Sequence, residues 1–277
     1  MQTNKLLIKR KVFLVLVVFV GVLAILYLGR TPSNDRDWSN DQDLLPYASF
    51  NDNTVDVFNI RNFTYTATDV YEIQYYDKTY DIDELSSVDY IVEPFSGIGA
   101  AHTFVSFGFE NGDYLALSVE IRKEIGETFS PTKGLLRNYE LMYVIADEKD
   151  VVKLRTNYRK SNVYLYPVET SKENMKKMFI DMLTRANKLK EEPEFYNTLT
   201  NTCTTNIASH INNISPSRIP WDIRLLLPKN SDELAYELGI ISNSVPLTEL
   251  RKKHKINALA EIHADDPDFS NLIRQTQ

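Results

Sequence analysis

The stretch from residue 102 to residue 121 constrains the fold more than any other part of the chain. Two runs rich in strand-forming residues, 102–109 and 113–121, flank Glu110-Asn111-Gly112, which reads as a hairpin turn. Two registers are open. A two-residue Asn-Gly turn pairs Glu110 with Asp113 and leaves each face a mixture. A three-residue loop with Gly112 in the left-handed conformation pairs Phe109 with Asp113 instead. Val105, Phe107, Leu115, Leu117, Val119 and Ile121 then share one face, and His102, Phe104, Ser106, Tyr114, Ser118 and Glu120 share the other. A one-residue slip turns every side chain to the opposite face, so the segregating register is preferred. It sets His102 across from Glu120 at roughly 5 Å between Cβ atoms. The pair is either an ordinary surface contact or an imidazole oriented by a carboxylate.

The rest of the chain extends this sheet and covers it. Segments 54–59, 63–68, 72–80, 139–146 and 162–168 read as further strands, and sixteen Tyr with thirteen Phe favour a sheet-rich body. Residues 147–150 read as a polar turn, and Thr170 with Glu173 as a capping box. Met175, Met178, Phe179, Met182, Leu183, Ala186 and Leu189 follow at helical spacing and form a core stripe. The expected class is α+β, an antiparallel sheet with packed helices. Net charge −7 and the absence of a basic, aromatic-laced stripe argue against nucleic acid. The four His and single Cys lie too far apart in sequence for a metal motif. No cofactor is expected, and the oligomeric state is not legible.

Residues 12–29 carry no charge and are long enough for a bilayer core. Lys5, Lys9, Arg10 and Lys11 precede them, and an acidic segment, 34–43, follows. The charge bias predicts a transmembrane anchor with a cytoplasmic N-terminus. Leu26-Tyr27-Leu28-Gly29-Arg30 offers no small-x-small site for a cleaved signal peptide. The resulting plan is a basic segment at 1–11, an anchor at 12–29, a linker at 30–45 and an extracytoplasmic domain at 46–277. Outside the cytoplasm an unpaired cysteine is either deeply buried or used.

That cysteine, Cys203, lies in Tyr196-Asn197-Thr198-Leu199-Thr200-Asn201-Thr202-Cys203-Thr204-Thr205, which reads as the start of a helix capped by Thr200 or Asn201. The first turn favours a thiolate. A nucleophilic thiol needs a base and an orienting group. His210 is seven residues beyond Cys203 on the same helix, roughly 10 Å along its axis, while His254 and His263 sit in charged, exposed-looking segments. His102, with Glu120 behind it, is the remaining base. Backbone N–H of Cys203, helped by Asn201 or Thr202, would stabilise an oxyanion. Ser118 and Arg122 share the His102 face and are counted with the substrate-positioning residues.

Several blocks resemble the Lnb N-terminal periplasmic domain family: Asn59-Ile60-Arg61-Asn62-Phe63, Ala101-His102-Thr103, Ser118-Val119-Glu120-Ile121-Arg122-Lys123-Glu124, Val163-Tyr164-Leu165-Tyr166-Pro167 and the Cys203 segment itself. The resemblance runs from about residue 45 to the C-terminus. It implies a bacterial envelope protein of the inner membrane, similar to a lipoprotein N-acyltransferase. It further implies a circularly permuted papain-like, NlpC/P60-like core in which Cys203 is the nucleophile and His102 the base. A membrane lipid and a lipoprotein N-terminus would be the partners. A thiol hydrolase of envelope lipids or peptides, or a non-catalytic envelope scaffold, would fit the same residues.

Overall fold

A computed structural model describes residues 2–97, 99–215 and 219–275. Among them, eight strands form one sheet in the order β1-β2-β9-β8-β7-β6-β10, with β5 also on β2. The strands are β1 (Tyr47–Asn51), β2 (Thr54–Arg61), β3 (Thr64–Ala67), β4 (Val70–Glu72), β5 (Tyr75–Asp81), β6 (Leu85–Pro94), β7 (Ala101–Phe109), β8 (Tyr114–Arg122), β9 (Glu140–Asp147) and β10 (Tyr164–Pro167); β3 and β4 pair separately. The helices are α1 (Gln2–Leu28), α2 (Pro131–Leu135), α3 (Glu148–Lys153), α4 (Lys172–Glu191), α5 (Cys203–Ile214), α6 (Ser231–Glu237), α7 (Leu247–Lys253), α8 (Asn257–Ile262) and α9 (Phe269–Leu272).

The α+β class holds, but the sheet is mixed and not purely antiparallel, because β2 lies parallel to β9 with Arg61 beside Ala146. The β7–β8 hairpin has the three-residue loop. The Phe109 N–H donates to the Asp113 carbonyl and Gly112 sits at φ +87°. The ladder pairs Phe104 with Ser118 and Phe107 with Leu115. The second face is not open to solvent, however. Val105, Phe107, Leu115 and Leu117 meet Met178, Phe179, Met182 and Ile207 of α4 and α5 on one side. Phe104, Ala116, Met142 and Val144 meet Val151, Val152, Phe269 and Ile273 on the other. The sheet is therefore buried between two helical layers, which hides the alternation that a one-sided sheet would show.

Every position of the α4 stripe is buried, though the helix is capped by Ser171, one residue later than expected. The turn expected at 147–150 is instead the start of α3. Asp147 caps it, and Glu148 and Asp150 are fully buried because Arg274 and Arg61 neutralise them. Arg61 grips Asp150 through two 2.9 Å bonds, and Tyr65 Oη donates to the same carboxylate. The segment at 30–45 is docked: Trp38 and Gln42 are buried, and Arg122 donates to Gln42, Asn34 and Asp43.

The expected transmembrane anchor is overturned. Residues 2–28 do form one helix, but among the described residues no helix is long and apolar enough to cross a membrane. Lys9, Arg10 and Lys11 belong to that helix.

Phe179 of α4 is the side chain around which this core closes. Its ring is fully buried and lies 5.1 Å from Phe107 and 5.8 Å from Phe109, edge-on to both. Phe179→Ala should cost about 3–5 kcal/mol, measured as a lower denaturation midpoint at unchanged slope. A cost below about 1 kcal/mol would mean that α4 is not packed on the sheet in this way.

Candidate active site

Cys203 is the first residue of α5. Thr202 is the N-cap and forms a reciprocal capping box with Thr205, so the cap lies beyond the expected Thr200 or Asn201. Two side chains in this loop are occupied by its architecture. Asn201 donates to the Phe195 carbonyl at 2.9 Å and accepts from Asn206 at 2.8 Å, while Thr202 Oγ1 serves the cap. Asn201 keeps a second amide hydrogen beyond its bond to Phe195, and N–H groups of the first turn remain available.

Cys203 is 9% exposed, and its sulfur lies against the beginning of β7. Thr103 and Thr204 tie strand to helix through a 3.0 Å hydroxyl contact, and Thr204 Oγ1 lies 3.7 Å from the sulfur. Among the described residues this is the sulfur's one hydrogen bond of standard alignment. The His102 ring also acts on the sulfur, through its hydrogen-bonding reach and its charge. Burial pushes the thiol up. The hydrogen-bonding reach and charge of His102, with the Thr103 backbone and hydroxyl, outweigh it and bring the thiol down to about 6.

The strand register carried two residues beyond Phe104 sets His102 opposite Glu120, and the two side chains approach to 3.7 Å. A hydroxyl joins them. His102 Nε2 lies 2.7 Å from Ser118 Oγ, and Ser118 donates onward to Glu120 Oε1 at 2.9 Å. Since the serine hydrogen is spent on the carboxylate, Nε2 must be the donor to Ser118, which leaves Nδ1 as the nitrogen with a lone pair for the thiol. Burial alone would raise the Glu120 carboxyl. Arg155 first, then His102, Arg61 and Ser118, hold it well below the ordinary carboxylate range.

Arg155 is the residue sequence reading passed over. It sits on a π-helical turn, 154–158, a geometry that recurs at functional sites. Its Nη2 reaches Glu120 at 3.0 Å, its Nε faces Glu93 at 3.0 Å, and its guanidinium covers the Phe104 ring at 4.8 Å. Glu93 is fully buried on β6, directly paired with His102 in the ladder. No local motif marks Arg155 or Glu93. The one available signal was a charged residue in a strand between apolar neighbours.

The other expected residues lie elsewhere. Arg122 does not face the sulfur; it is buried over the Trp38 ring at 4.2 Å and fastens the 34–43 segment. His210 is buried beyond reach of the site, bonded to Asp181 at 2.6 Å and to the Tyr143 hydroxyl. His254, expected to be exposed, is half-buried with Nδ1 at the Leu165 carbonyl.

Replacing Ser118 by Ala removes the atom between imidazole and carboxylate without disturbing the apolar core. The rate of iodoacetamide alkylation followed against pH should show the thiol midpoint rising from about 6 toward the ordinary 9. Because the folded thiol is the stronger acid, its contribution to stability is complete above the unfolded pKa and is lost as pH falls through about 6. An unchanged alkylation profile in Ser118→Ala would remove the serine from the relay.

A family model, described as the Lnb N-terminal periplasmic domain, matches residues 71–229 of the 277. The match holds His102, Ser118, Glu120, Arg155 and Cys203. It is narrower than the resemblance suggested by the sequence blocks, since Arg61 and the helices after residue 229 fall outside it. No curated protein and no solved structure matches the chain, so the papain-like core implied by the resemblance gains no support from structural likeness.

Proposed function

The chain belongs to the Lnb N-terminal periplasmic domain family, and from that premise we propose that it is a thiol acyltransferase of the bacterial envelope. The carrying observation is the arrangement Cys203–His102–Ser118–Glu120 at the head of a buried helix, with a thiol that favours the thiolate at neutral pH. In the proposed reaction His102 Nδ1 takes the sulfur's proton. The sulfur attacks an acyl carbonyl, the first-turn N–H groups hold the oxyanion, and the leaving alkoxide departs with the proton from His102. The thioester on Cys203 is then attacked by an amine. His102 accepts the amine proton, the C–S bond breaks, and the thiol is regenerated as the amide forms.

The choice of a fatty acyl group over a peptide rests on what lies along α5 beyond the nucleophile. A cavity of about 120 Å³ runs along α5 beneath α6, lined by Val105, Met178, Ile207, Ile211 and Leu234. Thr204, the next residue after the nucleophile, also lines it. A hydrocarbon chain attached at Cys203 has an apolar berth there, while a peptide would find few polar partners. The acceptor we favour is the α-amine of a lipoprotein's N-terminal cysteine.

Intact-mass analysis after incubation with a phospholipid donor tests this. An acyl mass on Cys203, absent in Cys203→Ala and released by hydroxylamine, is the expected result. On addition of a lipopeptide with a free N-terminal cysteine the mass should move to the peptide. Release only as free fatty acid would make the protein a hydrolase, and a chain that never carries an acyl mass would end the thiol reading.

A further inference from the structure

Two phenols stand beside the nucleophile. Tyr90 of β6 and Tyr196, in the loop before α5, both pack in the core cluster that holds Cys203, and both feel the charge on its sulfur. Their hydroxyls are used differently. Tyr90 is buried and donates to Ser231 Oγ at 2.7 Å, at the head of α6, so its hydrogen is spent inside the core. Tyr196 is half-buried, and its Oη makes no hydrogen bond among the described residues. The buried side-chain atoms that lack a partner do not include it, so this hydroxyl keeps contact with solvent. A part-buried hydroxyl left unpaired costs stability, and a phenylalanine would fill the same space without that cost.

The chain between Tyr196 and Cys203 explains the placement. Asn197 and Asn201 face each other in an antiparallel bridge, with the Asn201 N–H on the Asn197 carbonyl at 2.9 Å and the Asn197 N–H on the Asn201 carbonyl at 3.3 Å. Asn197 Oδ1 accepts from the N–H groups of Leu199 and Thr200 and closes the turn from within. One step outward from that bridge, Tyr196 stands across from Thr202, the N-cap, and so beside Cys203. The ring is then fixed from two directions. The Tyr196 N–H donates to the Tyr139 carbonyl at 3.0 Å, and Phe129 meets the ring edge-on with centroids 6.4 Å apart. The α2 backbone passes so close that a Cβ at Gly134 would stand 3.0 Å from ring atom Cε1, an approach that glycine permits. An immobilised ring with an unspent hydroxyl beside a nucleophile is a preorganised donor.

We propose that Tyr196 is a catalytic residue, the side-chain donor that holds the carbonyl oxygen of the acyl group as the Cys203 sulfur adds to its carbon. The assignment rests on the thiol chemistry proposed above and adds a donor to the N–H groups of the first turn. As the C–S bond forms, the carbonyl π electrons move onto oxygen, and Tyr196 Oη donates a hydrogen bond to it. The phenol keeps its hydrogen while the bond to the leaving alkoxide breaks and the carbonyl re-forms. Burial first, and then the charge on Cys203, raise the phenol above its ordinary value, so it is a donor throughout the neutral range.

Two reactions of the same sulfur isolate this role. Alkylation by iodoacetamide is a displacement at a saturated carbon and builds no oxyanion, whereas acylation by p-nitrophenyl acetate builds one. The full-length Tyr196→Phe variant keeps the ring between Phe129 and Gly134 and loses only the hydroxyl. Its burst of p-nitrophenolate, measured against Cys203→Ala, should be slowed about a hundredfold, with the rate and pH midpoint of alkylation unchanged. An unslowed burst would overturn the assignment. So would a variant in which both reactions slow together or the alkylation midpoint moves, because Tyr196 would then shape the thiol and not the oxyanion. If the burst behaves as expected but no acyl group is ever taken from a phospholipid, the acyltransferase reading falls and Tyr196 keeps its role on another acyl donor. A Cys203 that alkylates yet is acylated by the ester in neither protein ends both.

Discussion

A single guanidinium holds the site together. Arg155 is buried between Glu93 of β6 and Glu120 of β8, the two strands that flank the His102 strand. A carboxylate on each side of the histidine would be untenable in a buried setting without it, since removing one partner of a buried ion pair typically costs 3–5 kcal/mol. With Arg155 in place Glu120 stays ionised, accepts the Ser118 hydrogen and so fixes the direction of every hydrogen bond up to the imidazole. Arg61 and Asp150 perform the same service one layer out, fastening α3 under the π-helical turn that carries Arg155.

The sheet explains how a reactive thiol and its base come from residues a hundred positions apart. β7 and β8 supply His102, Ser118 and Glu120 from one hairpin, where register alone sets the spacing. α5 then lays its first turn against the start of β7, joined through Thr103 and Thr204. Desolvation of the sulfur works against the thiolate, and its neighbours overcome it. The apolar cavity lies further along α5, beyond Thr204. One helix thus connects the chemistry and the berth.

Much of this was legible from local pattern. Glu110-Asn111-Gly112 and the segregation of faces gave the hairpin register, and with it the His102–Glu120 pairing. The α4 stripe was read position by position, because one face of an amphipathic helix is visible at a spacing of three and four. What escaped was whatever depended on burial from both sides. β6 was missed as a strand because it is covered on both faces, and its Asp89 and Glu93 look like surface residues until Arg274 and Arg155 are placed against them. The charged segments around His254 and His263 look exposed in sequence, yet beyond them Phe269 and Ile273 complete a core and Arg274 closes on two buried carboxylates. Ser118 was assigned to substrate positioning because it shares the His102 face; only coordinates place its hydroxyl between imidazole and carboxylate. The apolar run at 12–29 suggested a membrane span by composition, and the described helix does not meet that requirement.

The account stands on a thiol ionised in the folded protein by its neighbours. The ultraviolet absorbance of the thiolate, titrated against pH in the full-length protein with Cys203→Ser as the blank, measures this without substrate or lipid. A midpoint near 6 is the predicted result. A midpoint at or above roughly 8.5, the value of a free thiol, would contradict it and leave Cys203 a buried structural residue.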